Sequence, residues 1–219
     1  MPAPKLCLAQ DRDADALLSK SPLALLIGMV LDQQIPLEWA FTGPLTLTKR
    51  LGRDLDAADL AGRDPADLAA IFATPPALHR FPGSMAGRVQ ELCRTIVEHY
   101  DNDPAAVWTG AADGADLLKR IEALPGFGKH KARIFVALLG KQLGVRPKGW
   151  QEAAGEFGEP GSRKSVADIT DGESLLEVRD YKKAMKAKAK AAAAQPAAKP
   201  KTPAKPKAAA KRTKAAARG

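Results

Sequence analysis

Apolar positions recur along this chain at helical spacing, and nowhere alternate as they do in a half-buried strand. Ala14, Leu17 and Leu18 give one side of a first helix over 11–19. Ser21-Pro22, a capping residue followed by proline at the first helical position, opens a nearly all-apolar helix over 23–34. A helix that is apolar all round is expected to be central and buried. Pro36 opens the next helix, 37–51, which Gly43-Pro44 interrupts and Gly52 closes. One helical turn is expected at 56–60. Asp64-Pro65 starts a compact helix to Phe72, and 74–83 reads as a proline-rich loop containing His79, Arg80 and Phe81. Ser84 is the expected cap of a long helix over 85–100, with Met85, Val89, Leu92, Ile96 and Val97 facing inward. Leu117, Leu118, Ile121 and Leu124 then carry a helical period up to Pro125. Ala132, Phe135, Val136, Leu139 and Leu143 resume it beyond. The stretch after Gly144 is loop-like until a last helix from Gly172 to about Lys190. The pattern predicts an all-α fold.

The break between those two periods is Leu124-Pro125-Gly126-Phe127-Gly128-Lys129-His130-Lys131-Ala132. It reads as a helix, a tight glycine turn and a second helix. Glycine permits positive φ and close backbone approach at 126 and 128. The start of the second helix presents unpaired N–H groups and the positive end of its dipole, and Lys129 and Lys131 add charge. Pro125, Gly126, Phe127, Gly128, Lys129, His130 and Lys131 are therefore the candidate clamp for a DNA phosphate. The plain alternative is an ordinary helical hairpin with a polar surface.

Charge changes this picture in one respect. The net +9 arises in the C-terminal segment: 182–219 carries 13 Lys+Arg and no acid, leaving 21 basic against 25 acidic residues in 1–181, a net of −4. The chain divides into a domain at 1–181, with its hairpin at 115–143, and a Lys/Ala/Pro-rich basic tail at 182–219, read as disordered. Bulk charge is no argument for nucleic-acid binding by the domain, so local basic clusters must carry it. The tail would hold DNA by counterion release or serve solubility alone. Two cysteines, Cys7 and Cys93, are too few for a cysteine-ligated iron–sulfur cluster. The longest apolar run, Pro22–Leu31, is too short to span a membrane, and no signal-peptide layout precedes it. The chain reads as cytoplasmic, with nucleoid association through the tail, and as a monomer.

The order of elements resembles the helix-hairpin-helix-GPD superfamily of DNA glycosylases, in a small actinobacterial-type branch without an iron–sulfur cluster. The resemblance runs from Ser21 to Leu143. It rests on the buried helix ending in Leu31-Asp32-Gln33-Gln34, on Met85-Ala86-Gly87-Arg88-Val89 opening a long helix, and on Leu124-Pro125-Gly126-Phe127-Gly128. It implies a two-lobed helical domain that binds double-stranded DNA in base excision repair and flips a damaged or mismatched base out of the duplex. It also implies an acidic residue that stabilises the cationic sugar or helps to activate water, and no metal or other cofactor. Gln33 and Gln34 would lie at the flipped base or the gap it leaves.

The sequence departs from that family twice. Bifunctional members carry a lysine nucleophile at the second position after the last hairpin glycine, where this chain has His130. That argues against lyase chemistry and for a monofunctional N-glycosylase. The family's aspartate follows the hairpin by about 18 to 20 residues, where this chain reads Arg146-Pro147-Lys148-Gly149-Trp150. Asp168, displaced by a glycine-rich insertion, is one substitute acid. Asp32 is another, and Glu152 a third. A protein without any catalytic acid would be a non-catalytic binder of damaged or distorted DNA, or would act on labile cationic bases through an aromatic pocket drawn from Trp39, Phe81, Trp108 and Trp150.

Overall fold

The computed structural model describes residues 6–194, and among these every regular element is helical. The helices are α1 Arg12–Lys20, α2 Pro22–Leu31, α3 Leu37–Leu51, α4 Ala57–Gly62, α5 Pro65–Ala73, α6 Pro82–Tyr100, α7 Ala106–Thr109, α8 Gly114–Glu122, α9 Lys129–Gln142, α10 Trp150–Ala154 and α11 Gly172–Ala194. Short 3-10 turns cover Gly155–Phe157 and Val166–Asp168. The all-α expectation holds over this range.

Local capping chemistry sets most of the helix starts. Asp11, Ser21, Asp56, Asp64 and Asp113 each accept a hydrogen bond from a first-turn backbone N–H of α1, α2, α4, α5 and α8 respectively. Several boundaries differ from the sequence reading, two of them at the site described below. Helix α2 ends at Leu31, three residues early. Asp32 leaves helical geometry at ψ 70, and Gln34 takes φ +57, so Gln33 and Gln34 form a turn. Helix α6 begins at Pro82, and Ser84 is not its cap. Proline at the first position pre-sets φ and needs no donor, so the helix starts there without a side-chain cap. The interruption expected at Gly43-Pro44 is absent: α3 runs through both residues. Gly43 packs so close to Leu31 that a β-carbon there would come within 2.6 Å of the leucine Cδ1. Packing of α3 on α2 thus outweighs the hydrogen bond lost at Pro44.

Helix α2 is the axis of the packing. All of its residues from Leu23 to Leu31 are buried, and it contacts α1, α3 and α6. Helices α4 and α5 pack on α6. On the other side, α8 and α10 pack on α9, whose residues 135–140 are buried. Core residues from both groups form one continuous hydrophobic cluster. Helix α11 contacts the Val166–Asp168 turn, and Arg179 pairs with Glu38 on α3. It runs to Ala194, past the expected boundary at 181. The remainder of the basic tail, 195–219, lies outside the described residues. No single helix among the described residues is long and apolar enough to cross a membrane.

Candidate nucleic-acid interface

The 126–128 turn joins α8 to α9 and rests directly on α2. Gly126 has φ +86, a backbone conformation that disfavours every side chain, and its missing β-carbon would stand 3.2 Å from Val30 Cγ2. Gly128 differs. Its φ is −76 and nothing lies within 4 Å of the place a β-carbon would take. The expectation of special backbone freedom at both glycines is thus corrected at 128, where glycine leaves open space. Gly128 is also the N-cap of α9 and supplies no side-chain cap, unlike the Asp or Ser that starts α1, α2, α4, α5 and α8. The first N–H groups of this fourteen-residue helix therefore have no side-chain cap.

Phe127 is corrected as a DNA contact. Its ring is buried at 5.5 Å from that of Phe135, and its N–H donates to the Leu124 carbonyl. It anchors the turn and has no surface to offer. Lys129, His130 and Lys131 then point three ways, as a helix advancing about 100° per residue requires. Lys129 is exposed. His130 sets its ring edge-on to Phe157 at 5.2 Å. Lys131 turns inward across the end of α2, and its Nζ donates to the carbonyls of Met29 at 2.5 Å and Val30 at 3.5 Å. Burial pulls its ammonium down to about 8. The Asp32 carboxylate opposes that shift and the Arg88 guanidinium adds to it. The fourth basic side chain on this end of α9 is the exposed Arg133.

The end of α2 brings in the second segment. Gln33 Nε2 donates to the Val30 carbonyl at 2.7 Å, and its Oε1 accepts from Arg88 of α6 at 2.8 Å. Gln34 is exposed at the tip of the turn. Asp32 is half-buried and lies beside Lys131. It also lines a groove of about 280 Å³ between the α2–α3 turn and α11, with Ile35, Leu37, Leu175, Arg179 and Lys182. The third segment is the start of α6. Here Arg80 lies over the Phe81 ring at 4.8 Å, and Phe81 is 44% exposed. Three segments far apart in sequence thus meet: the turn after α2, the start of α6 and the start of α9. Arg88 and Lys131 bond across to the end of α2, and Arg80, Lys129 and Arg133 are exposed basic residues on the same segments.

Asp168 is elsewhere. Its Oδ1 accepts from Lys141 Nζ at 2.6 Å and from Ser162 Oγ at 2.9 Å. Its Oδ2 accepts from the N–H groups of Lys164 and Ser165 at 2.9 and 3.0 Å. The residue is 4% exposed and completes a capping box with Ser165. Lys141 stands eleven residues beyond His130 on α9, about 16 Å along the helix axis. The carboxylate is therefore committed to the fold at the far end of α9 from the glycine turn. Glu152 lines a different cavity, of about 530 Å³, between α8 and α10. Of the aromatic candidates, Trp108 packs edge-on to Phe135 at 5.9 Å and Trp150 lies over Gly140. Trp39, 39% exposed, donates its Nε1–H to the Ala77 carbonyl. Phe81 alone of the four sits at the three-segment junction. Within the 79–81 stretch His79 is 1% exposed, and only Arg80 and Phe81 reach the surface.

Sequence reasoning did not foresee the inward course of Lys131, the Arg88–Gln33 bond or the burial of His79. Each depends on a partner 46 or more residues away, and the local pattern carries no signal for it. Comparison with family models, curated proteins and solved structures finds no match to this chain, so its functional reading rests on the geometry of this face.

Proposed function

We propose that this face binds duplex DNA and that the chain is a base-excision-repair protein. In this reading it extrudes a damaged or mismatched base and hydrolyses its N-glycosidic bond without a lyase step. The observation that carries the proposal is the meeting of an uncapped, lysine-bearing helix start with an exposed glutamine turn and an exposed aromatic. Each part suits one task. The α9 N–H groups and Lys129 suit a backbone phosphate. Gln34 and Phe81 are exposed beside that helix start's neighbouring segments, and an amide or a ring can replace a base that has left the stack. The groove beside Asp32 is concave and partly apolar, as the receiving site for an extruded base would have to be.

Asp32 is the carboxylate we assign to the chemistry. As the bond from base to C1′ breaks, the base leaves with the electron pair and positive charge grows on the sugar. A half-buried carboxylate stabilises that charge, and water adds to C1′ with loss of a proton. Lys131 is assigned to electrostatics: its amine is hydrogen-bonded to the end of α2, which favours the monofunctional reading.

The competing reading is a DNA-damage or DNA-architecture binder that cleaves nothing. It is favoured by the commitment of Asp168 to capping and ion pairing, which leaves Asp32 as the one acid of this face named above. One experiment separates the readings. The protein is incubated with duplexes bearing uracil, alkylpurines, oxidised bases or mismatches, and strand cleavage is measured with and without alkali and with borohydride. Alkali-dependent cleavage that Asp32→Asn abolishes is the expected result. Binding without product on every duplex would establish the architectural reading, and borohydride-trapped adducts would establish a lyase.

A further inference from the structure

The α2–α3 turn and the start of α6 are joined by one buried imidazole. His79 Nε2 lies 2.8 Å from the Gln33 carbonyl oxygen, and Nδ1 accepts the Phe81 backbone N–H at 3.0 Å. The second bond fixes the tautomer. An N–H donor aimed at Nδ1 requires a bare nitrogen there, so Nε2 carries the proton and donates to Gln33. Both partners are backbone groups at places where helical geometry stops. The Gln33 carbonyl immediately precedes Gln34 at φ +57, and Phe81 is the N-cap of α6 with no side-chain cap of its own. The imidazole therefore sets the distance between the two segments that present Gln34 and Phe81. Arg88 makes a parallel tie through Gln33 Oε1. That bond is exposed, whereas the ring of His79 is buried and has no path to DNA.

We propose that His79 is the positioning residue of this interface. It holds the Gln34 turn and the Phe81 start at the spacing needed to extrude a nucleotide, and touches no DNA itself. The proposal rests on the reading of this face as a base-extruding one. It separates two properties that a merely structural residue would change together. Phosphate affinity belongs to α9, which makes no bond to His79 in this arrangement. Extrusion belongs to the two segments that the imidazole joins.

The test uses the full chain and a duplex carrying 2-aminopurine at a mismatch, whose fluorescence rises when the base leaves the stack. His79→Leu removes both hydrogen bonds at similar volume. His79→Gln can donate to Gln33 and accept from Phe81, while His79→Asn is too short to reach both. Expected for His79→Leu is extrusion weakened by about 10- to 100-fold, with affinity for undamaged duplex within about twofold of wild type. His79→Gln is expected to recover most of the signal. If the leucine variant does not fold, the contrast between His79→Gln and His79→Asn carries the same prediction. Full extrusion by His79→Leu or His79→Asn would overturn the proposal, as would equal losses in extrusion and undamaged-duplex affinity. A wild-type protein that binds the duplex but never raises the signal would instead overturn the base-extruding reading, and this proposal with it.

Discussion

Lys131→Met tests whether this face holds a cation at a cost to the fold. The ammonium is pulled from 10.5 to about 8, first by burial. At about 1.4 kcal/mol for each pH unit, that amounts to about 3 kcal/mol against the charged form. The hydrogen bond to Met29 opposes it: stripping a carbonyl of its donor costs about 1–3 kcal/mol. The Val30 carbonyl loses less, because Gln33 Nε2 still donates to it at 2.7 Å. The two contributions are of similar size and opposite sign, so the variant is expected to unfold within about 2 kcal/mol of wild type at pH 7. The pH dependence is the sharper expectation. Between pH 8 and 10.5 the folded protein has released the Lys131 proton and the unfolded chain has kept it, so rising pH favours folding. Urea unfolding of wild type should therefore gain up to about 3 kcal/mol over that window relative to Lys131→Met. Parallel stability curves for the two proteins would show that the amine is not desolvated, and the electrostatic account of the site would fail. In DNA titrations Lys129→Met, at the exposed lysine of the same helix start, should bind more weakly, with the salt slope reduced by about one.

The two hairpin glycines should part company. Gly126→Ala forces a side chain into φ +86 against Val30, and should lower unfolding free energy by about 1–3 kcal/mol in urea. Gly128→Ala should leave stability within about 0.5 kcal/mol yet weaken duplex binding, because its methyl enters the space in front of the α9 N–H groups. Equal effects of the two substitutions on stability would refute this division. Asp168→Asn removes one partner of a buried ion pair and should cost about 3 kcal/mol of stability. Folded protein at low temperature should keep its DNA affinity. Unchanged stability with abolished base release would return Asp168 to the chemistry.

What was legible in the sequence was local. Ser21-Pro22 and Asp64-Pro65 start helices because cap and proline act within one turn, and the 126–128 turn was marked by its own glycines. What was not legible depended on distant partners. Gly43-Pro44 reads as a break, but the close approach of Leu31 keeps α3 continuous. Asp168 reads as a substitute acid displaced by a glycine-rich insertion, while its oxygens are taken by Lys141 and Ser162 and by the backbone of Lys164 and Ser165. Gln33 and Gln34 read as the end of a helix. Their turn conformation follows from bonds to Arg88 and His79, 55 and 46 residues away. Lys131 and His130 show the same limit at one-residue scale. The sequence puts both beside the glycine turn, and only the packing against α2 and Phe157 sends one inward and the other outward.

The central claim is that three separate segments form one DNA-binding face. Amide hydrogen exchange of the full chain, with and without an undamaged duplex, tests it most directly. The account predicts added protection at 128–131, at 33–35 and at 81–84 together, with the 150–154 and 165–168 segments unchanged. Protection confined to 182–219, or present at the start of α9 without the other two segments, would contradict it.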